Sequence, residues 1–374
     1  MIIPVTKKTS RFRLLDGMRF LAALAVLMYH YVAIDRGQWA IPATEKFQFA
    51  SKIAAYGALG VPLFFLISGF VILMSAWGRS IPEFVASRIS RLYPSYWAAV
   101  LATTFLLVIV TKGSMKSVTF DQVAVNLTML QSAFDVKHVD GVYWTLFIEF
   151  MFYILIALII SRGMTEAKIQ AFIFLWPLIG IIASNSGIKI ADVILVPNYS
   201  ALFAGGMAIY LVHAFGSSFI RWLLIAYTLI ISMHQTTSHF FAHDMVNATG
   251  QELSPTVCNI LIVLMFVAIA LITLSPIKSV GHPIFSFLGA LTYPLYLIHE
   301  YWGLWIIGSL SANLNKWLVL LLSTLLVLIF AMLIERFVER PLHPKIRRSI
   351  LKNAMQIRSA EKDSLKVNSA VGIK

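Results

Sequence analysis

Apolar residues run along this chain in blocks of roughly 17 to 25, separated by short polar breaks. That is the length a helix needs to cross the hydrocarbon core of a bilayer at about 1.5 Å per residue. Ten such blocks fall at 14–34, 57–77, 95–112, 142–161, 168–184, 198–213, 219–234, 256–275, 284–308 and 315–338. Barrel strands would be shorter and would alternate apolar with polar positions. The stretch from Arg79 to Tyr93 is too polar to span, and its Ile81, Phe84, Val85, Ile89 and Leu92 predict an amphipathic helix along the membrane surface. Thr119 to Ala133 is expected as a short re-entrant or interfacial helix. The expected fold is all-α, a polytopic transmembrane bundle of about ten spans with an interfacial helix.

Composition fits lipid as the solvent. Of 374 residues, 59% are hydrophobic and 13% charged, too few to wet the surface of a protein this size. The net charge of +13 does not point to nucleic acid, because the basic residues sit at span ends and in the tail, not in one patch. Alternating the spans from an inner N-terminus puts 21 of the 30 Lys and Arg on inner segments and 8 on outer ones, with Arg19 inside a span. Both termini are therefore expected in the cytoplasm. The first block follows Lys7, Lys8, Arg11 and Arg13, yet it is longer than a secretory signal core and carries Asp16, Arg19 and His30, so an uncleaved span is expected. Residues 1–344 are read as the membrane domain. Residues 345–374, with Lys345, Arg347, Arg348, Lys352, Arg358, Lys362 and Lys366, are read as a basic cytoplasmic tail held to anionic lipid. The single cysteine, Cys258, excludes an intrachain disulfide and is expected to pack as a small hydrophobe.

Ionisable residues inside a span cost several kcal/mol to insert, so each needs a partner, a wet cavity or a task. Asp16 and Arg19 are three apart and within reach on a helix, as a structural ion pair or as functional groups. Arg19 and His30 are eleven apart, which returns to within about 20° of the same face roughly 16 Å further along. An imidazole facing the bundle can take a hydroxyl proton near neutral pH. Glu149 is as far from the outer end of its span as His30 is from its own, so the two are expected to meet at one depth, the carboxylate steadying the imidazolium. A glutamate satisfied by other polar side chains is the competing reading. Ser68-Gly69 suits close helix contact in lipid. His234, His239, His243 and Asp244 lack the glutamate that a zinc-protease helix places after its first histidine, and no metal is expected there.

Several blocks carry a family resemblance. They are Leu15-Asp16-Gly17-Met18-Arg19-Phe20-Leu21 leading to His30; Gly60 to Phe70; Arg88-Ile89-Ser90-Arg91-Leu92-Tyr93-Pro94; Trp144-Thr145-Leu146 with Glu149, Phe152 and Tyr153; Leu288 to His299; and Glu335 to Pro341. In this order, over about residues 14 to 341, the chain resembles the acyltransferase-3 family of membrane-bound acyltransferases. The resemblance implies transfer of an acyl group, commonly acetyl from acetyl-CoA, to a hydroxyl of a glycan, lipid-linked sugar or similar acceptor. By position it implies that His30 is the catalytic base, Arg19 belongs to the donor site, and Arg88 and Arg91 are functional. Guanidinium groups on the cytoplasmic side suit the phosphates of CoA, although both can also be read as positive-inside anchors. Glu149 is expected to assist His30. Asp16, Ser68, Tyr293, Tyr296 and His299 are possible supporting residues; Ser68 and the two tyrosines could hold an oxyanion, and His299, with Glu300, could line the acceptor path or anchor at the interface. Glu335, Arg336, Glu339 and Arg340 are expected to form a charge network closing the last span.

No cofactor is expected beyond acetyl-CoA as the donor substrate. The expected partners are an acyl-CoA, a saccharide or lipid-linked glycan acceptor and membrane lipid, with no nucleic acid. The expected location is the bacterial inner (plasma) membrane. Some members of the family carry a fused hydrolase-like domain after the bundle; only about thirty residues follow the last motif here, and a single-domain transferase is expected. A transporter or flippase of a lipid-linked saccharide would also use intramembrane charges and ten spans, and only the combined motifs favour the enzyme.

Overall fold

The computed structural model describes residues 12–371, which form helices and no strand. Lys7, Lys8 and Arg11, expected beside the first span, lie outside the described residues, as do tail residues 372–374 and the side chains of Arg358, Lys362 and Lys366.

A long helix stands at each of the ten expected blocks. In order they are α1 (Arg13–Met28), α2 (Gly60–Ala76), α3 (Ile81–Phe105), α4 (Trp144–Ser161), α5 (Glu166–Asn185), α6 (Ser200–Phe215), α7 (Phe219–Gln235), α8 (Pro255–Leu274), α9 (Pro283–Leu310) and α10 (Lys316–Ile334). An eleventh, α11 (Arg340–Val371), extends the chain beyond α10. Caps set several starts. Ser80 and Glu83 bond reciprocally ahead of α3, with Pro82 in its first turn. Ser254 precedes Pro255 at α8, and Asn315 Oδ1 accepts from the Trp317 amide at 2.9 Å at α10. Among the described residues, seven helical stretches are long and apolar enough to cross a membrane. Of the other three positions, α1 and α9 carry ionisable groups within their length: Asp16 and Arg19, and Glu300 with His299.

Burial ranks the helices. The most apolar window of the stretch containing α6 is 78% buried, against 28% for α5 and for α8, so α6 is central and the others peripheral. Its neighbour α2 approaches so closely that a Cβ on Gly69 would sit 2.0 Å from the Phe203 carbonyl, and one on Gly206 2.0 Å from the Leu66 carbonyl. Reciprocal glycines thus let two backbones touch, the device expected where helices pack without a hydrophobic drive. On the outside, Leu21, Leu101, Ile182, Leu264 and Leu321 are exposed, an apolar surface suited to acyl chains.

Three segments differ from a simple reading of hydropathy. The surface helix expected over 79–93 and the span expected over 95–112 are one continuous element, α3 with the π-helical turn Leu106–Val110. Pro94 removes one backbone donor, which a packed membrane helix tolerates without breaking. Within its first half Phe84 and Leu92 are buried, and α11 packs along α3. The connection after α3 turns back along it. Short helix Phe120–Asn126 is held by Tyr96, whose hydroxyl donates to the Asn126 carbonyl at 2.7 Å, and by Trp97, whose indole donates to the Leu127 carbonyl at 2.9 Å. Trp97 lies thirteen residues before Val110. At about 1.5 Å per residue the chain has therefore returned roughly 20 Å along the bundle, the re-entrant alternative of the two expected. Finally, the basic tail continues α10 as helix through the π-helical turn Glu335–Glu339.

Candidate active site

One face of α9 organises the chemistry. Gly289, Tyr293, Tyr296 and Glu300 recur at three- and four-residue intervals and so stack along one side of the helix. Two cavities, of about 130 and 140 Å³, lie end to end along this stripe. Val61 and Tyr296 line both.

The first cavity is the arginine cavity. Arg19 from α1, Arg88 and Arg91 from α3, Ser68 from α2, Glu149 and Tyr153 from α4, and Tyr293 from α9 line it among apolar neighbours such as Phe64 and Leu92. Three guanidinium groups face a single carboxylate, Glu149, whose Oε1 accepts a 2.8 Å hydrogen bond from the Ser68 hydroxyl. Arg19 interacts electrostatically with Arg91, Glu149 and Asp16. Arg88 rests against the rings of Phe84 and Tyr153, 5.9 and 5.8 Å from their centroids, and its Nε is buried without a hydrogen-bond partner. The Tyr293 hydroxyl donates to the Leu92 carbonyl at 3.1 Å, tying α9 to α3 at the cavity wall. Such a surplus of oriented guanidinium groups suits an anionic ligand, phosphate oxygens above all.

The second, the histidine cavity, is formed where α1 ends in the π-helical turn Tyr29–Ala33. His30 sits in that widened turn. Its Nδ1 lies 3.9 Å from Oε1 of Glu300, beyond hydrogen-bond length, and Glu300 is fully buried and ion-paired with Arg36 at 2.5 Å. With Nδ1 on the carboxylate side, Nε2 is the ring nitrogen left to act as a base. His299 lies beside it, ring centroids 5.1 Å apart, its Nδ1 2.8 Å from the Tyr296 carbonyl. The Tyr31 hydroxyl donates to the His299 carbonyl at 2.8 Å and fastens the π turn to α9. The buried carboxylate of Glu300 packs on Gly141, where a Cβ would come within 2.5 Å of Oε2, so the residue after Asp140 has no room for a side chain. Lys116 of the re-entrant connection completes the surroundings. Its ammonium donates to the His138 carbonyl at 2.7 Å, and burial lowers its pKa against the pull of Asp140 and Glu300. Across the cavity a π-helical segment, Thr236–Asn247, contributes Phe240 and Asp244, and Tyr29 donates to the Asp244 carbonyl. Burial raises the Asp244 carboxyl to about 6, with His243 acting in the opposite sense.

The expected residues therefore divide. Arg19, Arg88, Arg91, Ser68, Glu149 and Tyr293 line one cavity, His30 lines the other, and Tyr296 lines both. Asp16 sits behind the arginine cavity, against Gly289. His299 and Glu300 are fully buried in the bundle, which removes the interfacial reading of the pair. The expected meeting of His30 with Glu149 is corrected: the carboxylate beside His30 is Glu300, and Glu149 bonds to Ser68 in the other cavity. The cause is the re-entrant connection. It delivers Gly141 to the level of Glu300, already inside the bundle, so Glu149 is eight residues, roughly 12 Å, deeper. Ser68-Gly69 likewise divides its labour, Gly69 making the helix contact and Ser68 turning to Glu149. From the expected charge network, Glu339 accepts from the Ser95 hydroxyl at 2.7 Å and joins the end of the bundle to α3. His239 and His243 lie tilted against each other with centroids 5.1 Å apart, and no group of three potential metal ligands occurs among the described residues.

Asp140, Arg36 and Lys116 escaped notice as site residues because they sit in connections, where hydropathy carries no signal. An Asp-Gly pair immediately before an apolar block was the available hint.

The model of the acyltransferase-3 family, described as an acyltransferase domain, matches residues 12–336. No curated protein and no solved structure matches the chain. The match covers most of the sequence, and the chain belongs to that family: it is a membrane acyltransferase, working between an acyl donor and an acceptor in contact with lipid.

Proposed function

We propose that this member of the acyltransferase-3 family takes an acetyl group from cytoplasmic acetyl-CoA seated in the arginine cavity. It transfers that group to a saccharide hydroxyl presented to His30, in a bacterial inner membrane. The observation that carries the reading is the pair of unlike cavities meeting at Val61 and Tyr296. The arginine cavity belongs to the half of the bundle that holds Arg88 and Arg91, the half assigned to the cytoplasm by the charge distribution. Its three guanidinium groups suit the phosphates of CoA.

In this reading Nε2 of His30 removes the acceptor proton as the hydroxyl oxygen attacks the thioester carbonyl. The carbon–oxygen bond forms, the carbon–sulfur bond breaks, and the imidazolium returns its proton to the departing thiolate. Glu300 holds the imidazolium from the Nδ1 side and is itself fixed by Arg36. Glu149, bonded to Ser68, belongs to the donor half, where it orders Arg19 and Arg88. No covalent acyl-enzyme is needed.

The test compares acyl groups on the surface saccharides of a strain lacking this chain with those of its parent, by mass spectrometry. A second arm supplies membranes with acetyl-CoA labelled in the acetyl group. Loss of acetyl from one saccharide class, restored with label by the wild-type chain, is expected. Unchanged acetylation with the saccharide retained inside the cell would overturn the reading.

A further inference from the structure

The two cavities are separated by a partition, and its construction bears on which acyl group passes. The ring of Tyr296 is T-shaped to Phe64 of the arginine cavity, centroids 5.6 Å apart, and tilted against the ring of His299, centroids 5.5 Å apart. Its hydroxyl is 3.0 Å from Thr145 Oγ1. The Thr145 hydroxyl donates to the Val142 carbonyl at 2.9 Å, so the proton in the Tyr296–Thr145 contact is the tyrosine's. Flanked by two rings and hydrogen-bonded at its tip, the Tyr296 side chain is nearly fully buried, so turning it aside costs those contacts. Val61 of α2 is the other residue that lines both cavities.

Resting on the function proposed above, we infer that Tyr296 and Val61 form an acyl-size filter. A thioester held by its phosphates among Arg19, Arg88 and Arg91 must bring its carbonyl to the side where Nε2 of His30 works. Its acyl group then occupies the gap between the Tyr296 ring and Val61. Acetyl adds one methyl beyond the carbonyl, and each further methylene must displace a side chain that is latched in place. Specificity for the acyl group is thus set by packing at the partition. The arginines read only the nucleotide end that all acyl-CoA donors share.

The experiment uses native membranes from cells lacking the chromosomal copy and expressing the full chain or a variant. They receive an equimolar mixture of acetyl-, propionyl- and butyryl-CoA, and the acyl groups joined to membrane saccharides are separated by mass. Wild type is expected to join acetyl almost alone. Tyr296→Ala should raise the ratio of butyryl to acetyl by about tenfold or more, since a single methylene in a pocket is worth about that much. Val61→Ala should move the ratio in the same direction by less, and Tyr296→Phe, which keeps the ring and drops the latch, should stay nearest wild type. An unchanged ratio in Tyr296→Ala overturns the filter while leaving the transferase intact. If Tyr296→Ala does not accumulate in the membrane, Val61→Ala decides, and an unchanged ratio there overturns it equally. Failure of the wild-type chain to join any acyl group overturns the function itself, an outcome distinct from either.

Discussion

The arginine cavity and the histidine cavity share two wall residues and little else. One sets three guanidinium groups against one carboxylate, and the other sets a histidine, an arginine and two carboxylates together with an aspartate and a lysine close behind. The first has the surplus charge needed to hold a polyanion, and its charged groups come from three different helices of the bundle. The second is nearly balanced, and part of it comes from connections and π-helical turns: Tyr29 and His30 from one, Asp244 from another. Under the proposed function the difference separates holding from proton handling. Rigid helices can present fixed cations to a donor that always carries the same phosphates, whereas the place where the proton moves needs an imidazole backed by a buried carboxylate.

Four variants test that division. His30→Gln should lower kcat by about a thousandfold or more while leaving the Kd for acetyl-CoA within about twofold, because only the proton acceptor is lost. Turnover in native membranes and binding of labelled acetyl-CoA to the purified protein measure the two. A parallel loss of donor binding would merge the cavities into one functional unit. Glu300→Gln should cost about a hundredfold in kcat with little change in KM for the donor, and Glu149→Gln should show the reverse pattern, a raised donor KM. If Glu149→Gln instead matched Glu300→Gln, the assignment of the two carboxylates would be inverted. Arg88→Ala combined with Arg91→Ala should raise the donor KM by about 10- to 100-fold and make the remaining binding less dependent on salt, each lost phosphate contact being charge-assisted.

The smallest effect concerns Asp244. Its folded pKa of about 6 lies above the ordinary carboxylate value, so the folded state binds that proton more tightly than the unfolded state does. Stability should therefore fall as pH rises from about 4 to about 6 and then level off, by about 1 kcal/mol once solvent screening at this partly exposed group is allowed for. Thermal unfolding of Asp244→Asn across that range should lack the step. A step of equal size in the variant would assign it to another group.

The membrane character, the helix positions and the arginine–histidine pair were legible because each is a local property. A block of apolar residues specifies a helix that crosses lipid wherever it packs. Caps such as Ser80-Ile81-Pro82-Glu83 fix a start within a residue or two. The pairing of His30 was not legible. Its prediction assumed that every span begins at the membrane surface, and the chain ahead of α4 instead re-enters the bundle, carrying Gly141 to Glu300. Depth counted from the edge of an apolar block is wrong by the length of any such re-entry. The two readings of Ser68-Gly69 had the same limit, since neighbours in sequence point about 100° apart on a helix and only packing says what each direction meets.

By itself the sequence determined that this chain lives in lipid as a bundle of helices, and that an arginine and a histidine stand about three turns apart on its first span. Those properties follow from composition and from the fixed geometry of the α-helix. Which carboxylate lies beside the histidine, which tyrosine lines both cavities, and which connection dips inward were decided only by tertiary structure. Rotation, depth and close approach of helices depend on contacts such as Gly69 with Phe203 and Gly206 with Leu66, made between residues more than a hundred positions apart.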